Sequence, residues 1–417
     1  MSTHQVTGGR SLQLTCPDRL WSTVMEVALI GSIAGDGSCR LSLTDEDKNA
    51  RDLFQKWCRE AGCTVKIDQF GNIFGIRSGR HNDRGVILMG SHLDTQPHGG
   101  RFDGVLGVLA GLEIIRALND ANIETDLPIA VANWTNEEGV RFKPGLTGSK
   151  GFINALDRTA IIAADDTDFF AELKRIGYAG KPIDDLMIIA YYELHIEQGP
   201  VLESVNAPVG IVEGIQGVRW FEIAIAGQDA HAGTTPMENR SDSFMTAACI
   251  ATTLRSKALE LDPQIRFTVG RVDVTPNSQN TIPGMTTFSV DLRHSDEGIL
   301  DAFEKEIGST VVDLAAVERV RAEVRRTMVV PPVQFDKEMQ GKLFTAAQQV
   351  GVRPVSLPSG AMHDASSLAT VVPTAMLFVQ SKGGISHNPL EWSEAQHVGL
   401  ACEVLAHAVV SHAGTLS

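Results

Sequence analysis

Apolar and polar positions change rhythm along the chain. Between about residues 85 and 135, the run Val86-Ile87-Leu88-Met89 precedes an apolar stretch from Val105 to Leu118 with helical spacing. Leu127-Pro128-Ile129-Ala130-Val131-Ala132 follows. Continuous apolar runs predict strands buried on both faces, and the alternation predicts a β-α-β unit of a parallel sheet. In such sheets the loops beyond the carboxyl ends of the strands meet in one crevice. The segments after Gly90 and after Trp134 should therefore converge.

The pattern differs between about residues 214 and 330. It predicts a strand over Trp220–Ala226, a helix over Ser241–Leu261, strands near 265–275 and 285–294, a helix near 297–315 and a strand near 318–327. That β-α-β-β-α-β order implies a small open-faced sheet with two helices on one side. Gly210 to Gly214 and Val330-Pro331-Pro332 read as the hinges where the chain leaves and rejoins a first domain. The 417 residues exceed what one core usually holds. The expectation is an α/β chain: a mostly parallel-sheet domain from segments 1–213 and 331–417, with a smaller α+β domain, 214–330, inserted. No internal repeat or low-complexity tract interrupts it.

Charge narrows the partners. With 51 acidic and 36 basic residues the formal net charge is −15, and no Lys/Arg cluster offers a nucleic-acid footprint. A small-molecule substrate is expected, and no nucleic acid. The six cysteines are too sparse for a disulfide framework and suit a reducing cytoplasm. The first thirty residues lack a secretory pattern, and no apolar run is long enough for a membrane span.

The chemistry concentrates at the expected strand ends. Gly90-Ser91-His92-Leu93-Asp94-Thr95 and Gly99-Gly100-Arg101-Phe102-Asp103-Gly104 bring a histidine and two aspartates into one glycine-flanked loop. Imidazole and carboxylate suit zinc and its neighbours, and a carboxylate can bridge two ions. Asp103 is the candidate bridge. Asp94, two residues after His92, is placed to hold the second imidazole nitrogen.

The next strand ends in Asn133-Trp134-Thr135-Asn136-Glu137-Glu138-Gly139. Adjacent carboxylates there repel unless cations offset them, so one is expected to bind metal and the other to handle protons. His195 in His195-Ile196-Glu197-Gln198-Gly199-Pro200 and His387 in Gly383-Gly384-Ile385-Ser386-His387-Asn388-Pro389 lie in polar or glycine-rich loops. Any one of these histidines could be a capping residue. Four such sites in succession point to a metal centre.

These motifs resemble the M20-type metallohydrolases, within them the hydantoinase/carbamoylase-type branch of N-carbamoyl-L-amino-acid hydrolases, β-ureidopropionases and allantoate amidohydrolases. GSHLDT, GGRFDG, NWTNEEG, HIEQGP, GQDAHAG, NSQNTIPG, DLRH and GGISHNP carry the resemblance over most of the chain. It implies metal ligands at His92, Asp103, Glu138, His195 and His387, a general base at Glu137 and a supporting carboxylate at Asp94. The branch rests on His195, where peptidase relatives tend to carry a carboxylate.

The resemblance further implies two divalent ions per subunit, zinc first, with manganese, cobalt or nickel as alternatives. Arg293 and Asn280 would clamp a substrate carboxylate, which a planar guanidinium can grip through two bonds. Gln198 would meet a ureido end, and Gly360 with its neighbours Ser359 and Ala361 would line the pocket. His231 is a candidate donor to the charge that develops in the reaction, its alternative being the cap of a turn. Expected activities are hydrolysis of N-carbamoyl-L-amino acids, with allantoate or carbamoyl-β-alanine as alternatives and a peptidase or N-acyl-amino-acid hydrolase behind them. A homodimer paired through the inserted domain is implied too.

Overall fold

A computed structural model describes residues 13–415; residues 1–12, counted in the expected first domain, lie outside the described residues. The chain divides into two compact units, Met1–Glu213 with Phe335–Ser417, and Gly214–Gln334.

The first unit opens with α1 (Pro17–Ala28) and α2 (Asp45–Glu60), capped by the Thr44 side chain accepting from Asp47 N. Its sheet is built from β1 (Thr64–Ile67), β2 (Ile73–Arg77), β3 (Val86–His92), β4 (Ile129–Trp134), β5 (Ile188–Ile196) and β6 (Val209–Ile215), with α3 (Val105–Asp120) crossing from β3 to β4. Every residue of β3 and β4 is buried, as their unbroken apolar runs require.

The second unit contains β7 (Gly217–Ala226), α4 (Ser243–Leu261), β8 (Arg266–Thr268), β9 (Val272–Thr275), β10 (Met285–His294), α5 (Glu297–Val317) and β11 (Arg321–Val330). The chain then supplies α6 (Lys337–Val350), β12 (Val355–Ser359), β13 (Thr374–Val379) and α7 (Ala395–Ala413) to the first unit.

In the first unit β13, β5, β3 and β4 run parallel and in that order. Antiparallel strands flank them: β6 beside β13, and β2 then β1 beyond β4. The sheet is thus mixed, with the expected parallel arrangement confined to its centre. α3 carries thirteen buried residues among its sixteen, and nine of these join Met89, Val131 and Leu194 in one core with α1 and α7. Glu113 within α3 is buried and held by Arg19 and by Cys16 N.

The second unit has its own core. β7 pairs with β10 and β11, all antiparallel, and Phe221, Ile223 and Ile225 lie on one face with Phe288, Val290 and Leu292. Leu254 of α4 and Phe303 of α5 close that face. Asp242 and Asp296 cap the two helices through their side chains. The sequence places the rejoining hinge at 330–332, whereas this unit extends to Gln334 because Gly214 pairs with Gln334 and Ile215 with Val333. Gly210–Gly214 belongs to β6 rather than to a loop. No described helix is long and apolar enough to cross a membrane.

Candidate metal centre

The four parallel strands deliver the ligand-type residues to one end of the sheet. His92 closes β3, His195 is the penultimate residue of β5, Glu137 and Glu138 follow β4, and His387 follows β13. Asp103 comes immediately before the first turn of α3.

Asp103 is the centre of the arrangement. Its Oδ1 lies 3.1 Å from His195 Nε2 and 3.8 Å from His92 Nε2, and its Oδ2 lies 3.2 Å from His387 Nε2. His387 Nε2 is also 3.6 Å from Glu138 Oε2. Two donor groups result, His92–Asp103–His195 and Asp103–Glu138–His387, each with its atoms within 4.8 Å of one another. They share one carboxylate.

These donors fit divalent ions. Glu138 Oε1 is buried with no hydrogen-bond partner among the described residues, a costly state unless a cation faces it. Burial holds the His92 imidazole down to about 4, the neutral form a metal needs. Burial also pushes His195 down, but Asp103 outweighs it and raises the imidazole to about 9. Burial and the Asp103 charge push Glu138 up to about 8. Glu137 is raised well above the usual carboxylate range by burial and then by the charge of Asp364. Without cations, these groups share protons instead.

Local backbone explains how the groups come so close. Gly104 has φ +68°, and a Cβ there would sit 2.3 Å from His92 Nε2, so only glycine lets the helix start pass beneath the imidazole. Asn136 (φ +56°) and His387 (φ +52°) adopt left-handed backbone, as strained residues at functional sites do. The Asn136 amide is secured by Phe142 O and Thr147 Oγ1, both at 2.7 Å.

The structure corrects one reading. His92 Nδ1 meets the backbone carbonyl of Asp94 at 2.9 Å, while the Asp94 carboxylate stands 4.0 Å away. The turn aims that carboxylate at the next loop, where its oxygens accept from Glu137 N and Glu138 N at 3.3 Å.

Gln198 reaches the centre, donating to Asp103 Oδ2 at 3.0 Å and to Ser386 Oγ at 3.1 Å. Ala361 lines the cavity of about 330 Å³ above the donors. Gly360 is exposed and outside the residues lining it, and Ser359 is buried, bonded to His363.

The second unit holds the other expected residues. His231 and Asn280 come together where Ala230–His231 pairs with Thr281–Ile282 and Ala232 N donates to Asn280 O. His231 Nδ1 accepts from Gly233 N, so the turn-capping alternative holds for that nitrogen and leaves Nε2 as the donor. Arg293 lies on the β10 face opposite Leu292 and makes a forked bond to Asp291, 2.9 Å at each contact.

Several residues were missed. Glu391 accepts from Phe102 N and Asp103 N at 3.0 and 3.1 Å and fixes the loop that carries the shared carboxylate. Glu193 accepts from Ser91 Oγ and Ala365 N, and His363 packs against His195 with ring centroids 4.3 Å apart and planes tilted by 59°. Lys150 lines the cavity, its ammonium pushed down by burial. A signal existed for Glu193, which stands two residues before His195 on one strand face.

Residues 88–411 match the family described as Peptidase family M20/M25/M40. This chain belongs to that family. Among M20 proteins it is similar to the N-carbamoyl-L-amino-acid amidohydrolase of Rhizobium meliloti, 40% identical over 95% of this chain and 96% of the relative. The allantoate amidohydrolase of Bacillus subtilis is 31% identical, over 91% of this chain and 93% of its own. An amidase of the hydantoinase/carbamoylase family from Burkholderia multivorans superposes with a TM-score of 0.92 at 42% identity, over 97% and 99% of the two chains. The M20 fold of the expected branch is therefore the fold of this chain.

Proposed function

We propose that this chain is a di-metal amidohydrolase that cleaves the ureido carbon–nitrogen bond of N-carbamoyl-L-amino acids, releasing ammonia, carbon dioxide and the amino acid. The observation that carries the proposal is the pair of donor groups sharing Asp103 beside the unligated carboxylate of Glu137. The carbamoyl substrate comes from the name of the Rhizobium meliloti relative.

Two divalent ions held by His92, Asp103 and His195 and by Asp103, Glu138 and His387 would supply Lewis acidity and an acidified water. Zinc is the first candidate, with manganese, cobalt and nickel as alternatives. Glu137 takes a proton from the attacking water and returns it to the leaving nitrogen. Its Oε2 lies 3.6 Å from His92 Nε2, and Asp94 steadies it through the backbone.

Gln198 orients the ureido group, and Ala361, which lines the cavity, borders it. Arg293 and Asn280 bind the substrate carboxylate, and His231 donates to the oxygen on which charge develops. A homodimer paired through the second unit and a cytoplasmic location, suited to six free thiols, complete the reading. Allantoate is the second substrate reading, favoured by the Bacillus subtilis relative.

The test is ammonia release by manganese- or zinc-loaded protein from N-carbamoyl-L-methionine, N-carbamoyl-β-alanine and allantoate, with amino-acid release from an N-acetyl amino acid alongside. Fastest turnover of the first supports the proposal, and allantoate ahead of it moves the chain to the second reading. Preference for the acetyl compound sinks the ureido assignment.

A further inference from the structure

Behind the two ligand loops lie four buried ionisable side chains, Arg40, Asp47, Arg51 and Asp94, each no more than 1% exposed. Arg40 grips the first loop on both sides of Asp94. Its Nε donates to Leu93 O at 2.7 Å, its amide donates to Thr95 Oγ1 at 2.8 Å, and its carbonyl accepts from Thr95 N at 3.0 Å.

Arg51 grips the second loop. Its Nη1 donates to Thr135 Oγ1 at 3.2 Å and to Gly71 O at 2.8 Å, and its Nε pairs with Asp47 Oδ2 at 2.7 Å. Asp94 accepts from both Glu137 N and Glu138 N, tying the first loop to the second.

This cluster is a poor device for stability alone. Arg40 Nη2, Arg51 Nη2 and Asp47 Oδ1 are buried without a hydrogen-bond partner among the described residues. Apolar side chains of similar volume often stabilise as much as such ion pairs or more. What the guanidiniums add is direction, since each is locked to the backbone or hydroxyl beside a ligand loop. We propose that Arg40 and Arg51 are positioning residues of the metal centre, the Arg40 guanidinium holding the His92–Thr95 loop through Leu93 O and the Arg51 guanidinium holding the Thr135–Glu138 loop through Thr135. The inference rests on the metal reading above.

The experiment measures Mn²⁺ affinity of the full-length protein, with the thermal transition recorded for each variant. Thr135→Val removes the hydroxyl that accepts from Arg51 with little change of volume, and Arg40→Lys and Arg51→Lys keep the charge but lose the fork. About tenfold weaker Mn²⁺ binding is expected in each, the scale of lost outer partners of metal ligands. Glu113→Gln, buried in α3 and bonded to Arg19, should lower the transition without changing affinity.

Parent-like affinity in Thr135→Val overturns the role of Arg51, even if Arg51→Lys fails to fold. The same result in Arg40→Lys, or in Arg40→Gln should the lysine variant not fold, overturns that of Arg40. An equal loss in Glu113→Gln makes the effect one of general stability and overturns both. A parent that binds no Mn²⁺ overturns the metal reading and this inference with it.

Discussion

The first unit buries and cross-braces most of its donors, His387 being the exposed one, while His231 and Asn280 of the second stand in the open. His92 and His195 are 1% exposed and Asp103 is 4% exposed. Each donor loop is tied down by other side chains: Glu391 on the Asp103 loop, Gln96 on Glu138 and Ser91 on Glu193. His231 and Asn280 are exposed, and the Asn280 side-chain oxygen accepts from Ser278 Oγ beside it. A cluster of like charges needs prior bracing because its parts repel; groups that meet a substrate need access more than rigidity.

The sharpest way to break this comparison is Glu137→Gln, which removes the proton carrier but no ligand. Turnover should fall about 10²- to 10⁴-fold, with metal content by elemental analysis close to the parent's. Undiminished turnover would remove Glu137 from the mechanism.

Cations should stabilise the braced region. Mn²⁺ at about 100 times its dissociation constant should raise unfolding free energy by about 2.7 kcal/mol over chelated protein, read by denaturant titration. An unchanged midpoint would mean that the buried carboxylates need no cation.

Gly104→Ala places a Cβ against the His92 ring on left-handed backbone. Mn²⁺ affinity should drop about tenfold and stability by about 1 kcal/mol or more. Parent-like binding would show that the loop can give way.

Arg293→Lys has the smallest expected effect, a KM rise of about tenfold with unchanged metal stoichiometry, as a point charge replaces a fork. An effect on metal content instead would erase the distinction between the two regions.

The site was legible where chemistry and fold share one signal. His92, Glu137, Glu138 and His195 follow apolar runs that can only be buried strands, so their convergence follows from the sheet. Arg51 was hidden for the opposite reason. It stands in Asp45-Glu46-Asp47-Lys48-Asn49-Ala50-Arg51-Asp52, whose charges read as a solvated helix face, yet its side chain is fully buried. Glu391 and His363 come from distant segments, and no local pattern announces them. Asp94 was placed near the right imidazole, but spacing alone could not tell its carboxylate from its carbonyl. In the large sheet, apolar runs marked β3 and β4 but carried no sign of strand direction, so the antiparallel flanks went unread.

Gly214 and Gln334 are partners across paired strands, so the inserted unit begins and ends at one place. For the folding chain this is a matter of entropy. The two segments of the first unit must otherwise close a loop of 121 residues (334 − 214 + 1). If the insert, with its separate core, forms first, it presents ends already side by side. By loop-closure scaling that removes about 1 kcal/mol of the cost of joining β13 to β5, since the chain outside the insert between them must still be closed. Amides of β7 and β10 should then gain hydrogen-exchange protection before those of β13 during refolding.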